Sequence, residues 1–175
     1  MTSSAEIGLL IPAETGWDEA LEWGRRAASA GAGRLWGSGD LAGVALLAAL
    51  AWRVDVRVGA VVGAASAPTA VLAKHLTGLD VVAGGRLDVA VEAGPGAGAV
   101  LAVLAALGGG QAYYAEGPIP VAGARCLPPA AQRPAYPLWT ARPVPAPADA
   151  PEPAGTPAGW SEAGLGVVEV TPWQT

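Results

Sequence analysis

Two hydrophobic rhythms take turns along this chain. Residues 6–11 form a short apolar run closed by Pro12, the pattern of a buried strand. Residues 17–30 place Ala20, Leu21, Ala27 and Ala28 on one side and Asp18, Glu19, Glu22, Arg25 and Arg26 on another. That spacing predicts an amphipathic helix, stopped by Gly31 and Gly33. A short second strand follows at Arg34-Leu-Trp36, and Asp40 is placed to cap a helix over residues 41–52. Val54 to Val62 reads as a third strand. Pro68 opens a helix to about Val82, which Gly84-Gly85 ends. Arg86 to Val91 reads as a fourth strand, and Gly94-Pro-Gly-Ala-Gly98 leads into a helix over residues 99–107.

Strand and helix in strict alternation predict a parallel sheet with right-handed helical crossovers, each strand beside the one before. After Gly108-Gly-Gly110 the rhythm weakens. Residues 111–134 read as a long loop, and residues 135–141, with Trp139 inside, as a fifth strand. Residues 142–159 contain six prolines and read as an extended connector with no helix or inner strand. Residues 160–163 fit a single helical turn, and 165–171 a last strand between Gly164 and Pro172.

Length and composition narrow the possibilities. The 175 residues suit one domain and fall short of the ~250 of a complete (β/α)₈ barrel. Hydrophobic residues are 52% and charged ones 14%, which excludes wholesale disorder and leaves little charge to coat a free monomer. A net charge of −5 with scattered basic residues argues against nucleic acid and anionic membranes. One cysteine, Cys126, and one histidine, His75, exclude a disulfide and a Cys/His zinc cluster, so no metal site is expected. Residues 93–115 carry no charge, but Pro95 and the glycines break them, and the apolar part, 97–107, is about half the ~20 residues of a span. Residues 1–13 lack a basic leader region, which points to the cytoplasm.

At this level the chain resembles the luciferase-like monooxygenases, the flavin- and deazaflavin-dependent barrels that include bacterial luciferase. The segment from Pro68 through Leu79-Asp80 to Gly84-Gly85-Arg86-Leu87 carries most of the likeness. Residues 46–52 with 56–59, and Ile7 to Pro12, add to it. The resemblance is good over residues 6–94, weaker over 95–141 and slight at 160–171. It implies an incomplete TIM-like barrel of about five βα strands plus one C-terminal strand, with the Pro-rich segment in place of the missing units. The organisation expected is a shortened barrel over residues 1–141, a connector over 142–159, and a strand and tail over 160–175 that return to the same domain.

Barrel enzymes place their chemistry at the C-terminal ends of the strands. The candidates there are Glu14 and Trp17 after the first strand and Gly37-Ser-Gly-Asp40 after the second. Many relatives have a histidine after the second strand; this chain has none, and a helix cap accounts for Asp40. The resemblance implies a flavin against Gly63 and Ala64 after the third strand and against Glu92 and Gly94 after the fourth. Small residues there serve equally for close ligand approach or a tight turn. Some relatives place an arginine nearby for the flavin phosphate, whereas this chain has no basic residue between Arg86 and Arg125. Gly94 to Gly98 is also a soft dinucleotide-loop pattern, which leaves a Rossmann-like nucleotide binder as a further alternative. His75 and Cys126 have no partners in sequence and read as structural; Trp139 and Trp173 fit a core as well as a flavin face.

Two functions follow as expectations. One is a shortened flavin-dependent monooxygenase using FMN or a deazaflavin on a hydrophobic small molecule, with its catalytic residues unknown. The other is a non-catalytic relative without cofactor, kept for assembly. The uncharged helix over residues 41–52 suggests a homodimer contact, or a heterodimer with a full-length relative, with Leu46 and Leu50 facing outward. Six strands are expected to leave open sheet edges that a second subunit would cover.

Overall fold

The computed structural model describes residues 6–63, 68–115, 121–144 and 165–173. Strands β1 (Glu6–Leu10), β2 (Arg34–Ser38), β3 (Arg57–Val62) and β4 (Leu87–Glu92) are each followed by a helix: α1 (Trp17–Ser29), α2 (Leu41–Arg53), α3 (Thr69–Val82) and α4 (Ala97–Gly108). Strands β5 (Tyr113–Ala115) and β6 (Val121–Ala124) form a separate antiparallel pair; β7 (Leu138–Val144) and β8 (Gly166–Pro172) come last. β1, β2, β3, β4 and β7 lie side by side, all parallel, in the order the alternation predicts.

The barrel is closed, which corrects the expectation of an incomplete one with open edges. β8 runs antiparallel between the two edge strands, setting Val168 against Gly8 of β1 and Glu169 against Arg142 of β7. Closure at six strands is possible because a barrel narrows as strands are removed. The lumen here is filled by Trp36, packed against Ala90, Trp139, Ala141, Val168 and Val170. Gly8 and Gly59 flank it on β1 and β3, and a Cβ on either would overlap the indole. Alternate residues of the same strands, Leu9, Leu35, Val58, Val89 and Val91, face outward into the layer shared with the helices. A closed barrel in sequential order also overturns the Rossmann-like alternative, whose sheet is open and reverses its strand order.

Other expectations are corrected. Residues 111–134 are not all loop, since β5 and β6 pair there, where the β-favouring Tyr113, Tyr114 and Val121 stand. The strand expected to end at Ala141 runs on to Val144, so the first three residues of the Pro-rich run are strand. Pro143 is tolerated because β4 pairs only as far as Ala141; beyond it β7 has β8 as its sole neighbour, and the missing N–H faces no partner. The rest of the connector and the turn expected at residues 160–163 lie outside the described residues.

On α2, Val44, Leu47, Leu50 and Ala51 are buried and Leu46 packs half-buried against the core, so Leu50 does not face outward as expected. The outer face instead carries Leu41, Ala42, Ala45 and Trp52. Asp40 is the N-cap: its Oδ1 accepts a 2.7 Å hydrogen bond from the Gly43 amide. Asp40→Ala should cost about 1 kcal/mol in urea unfolding, whereas Asn, an equally good cap, should be nearly neutral. Equal losses for the two would show that the charge, not the cap, matters.

Candidate active site at the C-terminal mouth of the barrel

The five parallel strands end together, and their C-terminal ends define a mouth. Val62 and Val91 are paired neighbours near the ends of β3 and β4, so Gly63 and Glu92 come next to each other just beyond. Glu92 is exposed at the rim, Gly94 is exposed two residues later, and Ser38 is half-buried at the end of β2. Three of the four cofactor residues expected from the sequence, Gly63, Glu92 and Gly94, thus gather at one place; Ala64 lies outside the described residues. Glu14 and Trp17 are exposed between β1 and α1. α4 begins at this end with Gly96 as its N-cap, at φ 86°, and no side chain caps it.

Opposite Glu92, at the base of the same strand, Asp88 is fully buried. The Arg34 Nε lies 2.5 Å from its Oδ2, and Arg57 donates to both its oxygens at 3.1 and 3.0 Å. Arg34 also binds Glu6 at 2.9 Å and stacks 4.7 Å from the Trp139 ring centre. Arg57 continues the network to Gln132 at 3.3 Å, and Gln132 donates to Asp80 at 2.8 Å. The hydrogen bond to Asp88, set against the cost of burial, holds the Arg57 guanidinium above its ordinary pKa. This network seals the N-terminal end of the barrel.

The residues that carry the sequence resemblance belong to this closed end. Asp80 is fully buried and bound to Gln132, while Arg86 donates to the carbonyls of Ala51, Ala83 and Val56 at 2.6, 3.0 and 3.1 Å. Gly84 and Gly85 take φ of 62° and 80°, the turn that brings the chain from α3 into β4. Their role is to tie α2, α3 and β4 together. The other sequence candidates also lie away from the mouth. His75 is exposed on α3, its Nδ1 2.9 Å from the Val71 carbonyl, and Cys126 is buried beyond β6. Trp139 is inside the lumen near Arg34, and the Trp173 amide donates to the Leu138 carbonyl at the base of β7.

Sequence reasoning missed one feature altogether. A cavity of about 380 Å³ lies against β7 and β8, lined by Ala93, Thr140, Arg142, Glu169 and Thr171. Its strand residues alternate with the lumen residues Trp139, Ala141, Val168 and Val170, so it opens on the outer wall. Among the described residues no group of three His, Cys, Asp or Glu could hold a metal ion, and no helix is long and apolar enough to cross a membrane.

No family model matches this chain, and no curated protein matches it by sequence. Solved structures do. The monooxygenase RslO1 from Streptomyces bottropensis superimposes with a TM-score of 0.61 at 22% identity, over 72% of this chain and 47% of that one. The coenzyme F420 dependent tetrahydromethanopterin reductase from Methanopyrus kandleri gives 0.68 at 13% identity, over 79% and 50%. The type II Baeyer-Villiger monooxygenase of the Pseudomonas putida CAM plasmid, solved in complex with FMN, gives 0.51 at 18% identity, over 69% and 44%. The chain spans about half the length of these structures. At such identities the likeness is one of fold: this chain shares, in half the length, the barrel architecture of these monooxygenases and reductases.

Proposed function

We propose that the chain is a luciferase-like oxidoreductase barrel reduced to half length, which serves as a subunit in an assembly and not as a self-contained flavin monooxygenase. The charge of the mouth carries this reading. The described residues that leave β1 to β4, 11–16, 39–40, 63 and 93–96, contain no Lys, Arg or His; they contain Glu14 and Asp40. Glu92 stands at the rim itself. The phosphate of FMN or of a deazaflavin would meet Glu92 there; Arg142, near the end of β7, is turned to the outer wall, which leaves backbone N–H groups to hold it. The residues present do not fit that group. The lumen below offers no alternative, because Trp36 fills it.

Assembly has a candidate surface. Leu41 and Trp52 on α2 and Val71, Val81 and Val82 on α3 are exposed by 59, 76, 47, 44 and 49%. Trp52 and Val82 stand at the same end of adjacent helices. A second copy, or a full-length relative, covering this face would remove them from water. Light scattering should report at least twice the 17.3 kDa chain mass. Trp52→Glu with Val82→Glu should yield a folded monomer. A wild-type monomer, or a double variant of unchanged mass, would refute the interface.

The open backbone favours a second reading, a flavin- or deazaflavin-dependent oxidoreductase acting on a hydrophobic small molecule. A Cβ at Gly94, Gly96 or Gly98 would meet nothing within 4 Å, so a flat ring could approach this segment beside Gly63. Absorbance and fluorescence titration with FMN and a deazaflavin decides between the readings. No saturable binding is expected. Micromolar binding that Gly63→Val abolishes would establish the second reading and end the first.

A further inference from the structure

We infer that the outer-wall cavity over β7 and β8 is a binding site for a small zwitterion of the α-amino-acid type. Arg142 and Glu169 are direct cross-strand partners, and both line the cavity. Opposite charges facing each other on antiparallel strands ordinarily pair, since their Cβ atoms lie about 4.5–5.5 Å apart. Here neither side chain makes an ion pair or hydrogen bond with any described residue. The other arginines at the barrel wall, Arg34 and Arg57, are both consumed by Asp88.

The remaining wall is suited to orienting a small ligand. The Thr140 hydroxyl donates to the Thr171 carbonyl at 3.3 Å, which leaves its lone pairs and the Thr171 hydroxyl available. Ala93 closes one side without bulk, and its amide is already bound to the Ala141 carbonyl at 2.8 Å. The volume of about 380 Å³ is at the small end of the roughly 300–1,000 Å³ typical of small-molecule sites. One cation and one anion side by side, with a pair of hydroxyls two positions along the strands, match a ligand that carries both charges. A carboxylate would sit on the Arg142 guanidinium and an ammonium on the Glu169 carboxylate, both through charge-assisted hydrogen bonds. A simple anion or a simple cation would meet a like charge beside its partner. This site shares Ala93 with the segment that leaves β4 but lies on the outer wall, and it does not rest on the assembly reading.

The test is an amide NMR titration of the full chain with glycine and L-alanine, with propionate and ethylamine as single-charge controls. The amino acids should cause saturable shifts at Thr140 to Arg142 and Glu169 to Thr171, and the controls should bind at least about tenfold more weakly, the change that about 1.4 kcal/mol produces. Arg142→Gln and Glu169→Gln, each with β1–β4 amide signals unchanged, should each weaken binding by the same factor. No saturable shift with either amino acid would overturn the inference. So would controls that bind as tightly, or binding that survives both substitutions; the wild-type controls decide the matter even where a variant fails to fold.

Discussion

Gly59→Ala is expected to destabilise the barrel by at least about 2–3 kcal/mol, more than most surface changes, although it adds a single methyl group. The new Cβ would overlap the benzo ring of Trp36. The indole has nowhere to go, because Ala90, Trp139, Ala141, Val168 and Val170 enclose it and it is only 1% exposed. In a chain of this size that loss lowers the melting temperature by roughly 2–4 °C per kcal/mol. The cause can be isolated with a double-mutant cycle. Trp36→Leu alone should also destabilise, by leaving a void. In the Trp36→Leu background, Gly59→Ala should become nearly neutral, since the clash partner is gone. Strictly additive losses in chemical denaturation would mean that Trp36 does not fill the lumen as described.

The second large effect is expected at Asp88. It is fully buried and is the shared counter-charge of Arg34 and Arg57. Asp88→Ala would leave two guanidinium groups facing each other across the base of the barrel. Breaking a buried pair by removing one partner costs about 3–5 kcal/mol; the lower end applies here, because the Arg57 side chain is 34% exposed and water screens part of the charge. Native stability is only about 5–15 kcal/mol, so urea unfolding should show a major loss. Glu6→Gln removes a carboxylate from the same network at an exposed position and should cost under about 1 kcal/mol. If Asp88→Ala proved as mild as Glu6→Gln, the network would be decoration on a barrel sealed by Trp36 and Trp139 alone.

These two predictions fall on residues that local pattern does not mark as special. Gly8, Trp36 and Gly59 stand far apart in sequence, in three different strands, and nothing near any of them signals that they share one lumen. Asp88 looks like an ordinary polar position in a strand until β2 and β3 bring two arginines beside it. By contrast Asp40, Pro68 and Gly84-Gly85 act through their immediate neighbours and were read correctly as helix cap, helix start and helix stop.

The candidate site divides the same way. Gly63, Glu92 and Gly94 were legible because parallel strands joined by helices must end on one side, and those residues follow strand ends. Arg142, Thr140, Glu169 and Thr171 were not: Thr140, Glu169 and Thr171 fell in expected strands, but nothing in the sequence set those strands side by side, and the prolines after Arg142 put it in a connector. The sequence by itself determined the alternation of strands and helices, the order of the parallel strands and the acidic character of the segments leaving them. Each of these follows from local periodicity, from the handedness of crossovers or from simple charge. Only the tertiary structure decided that the barrel closes, that Trp36 fills it and that Arg142 faces Glu169. Those facts depend on the direction in which β8 returns between β1 and β7, and a strand's own alternation of side chains is the same whichever way it runs.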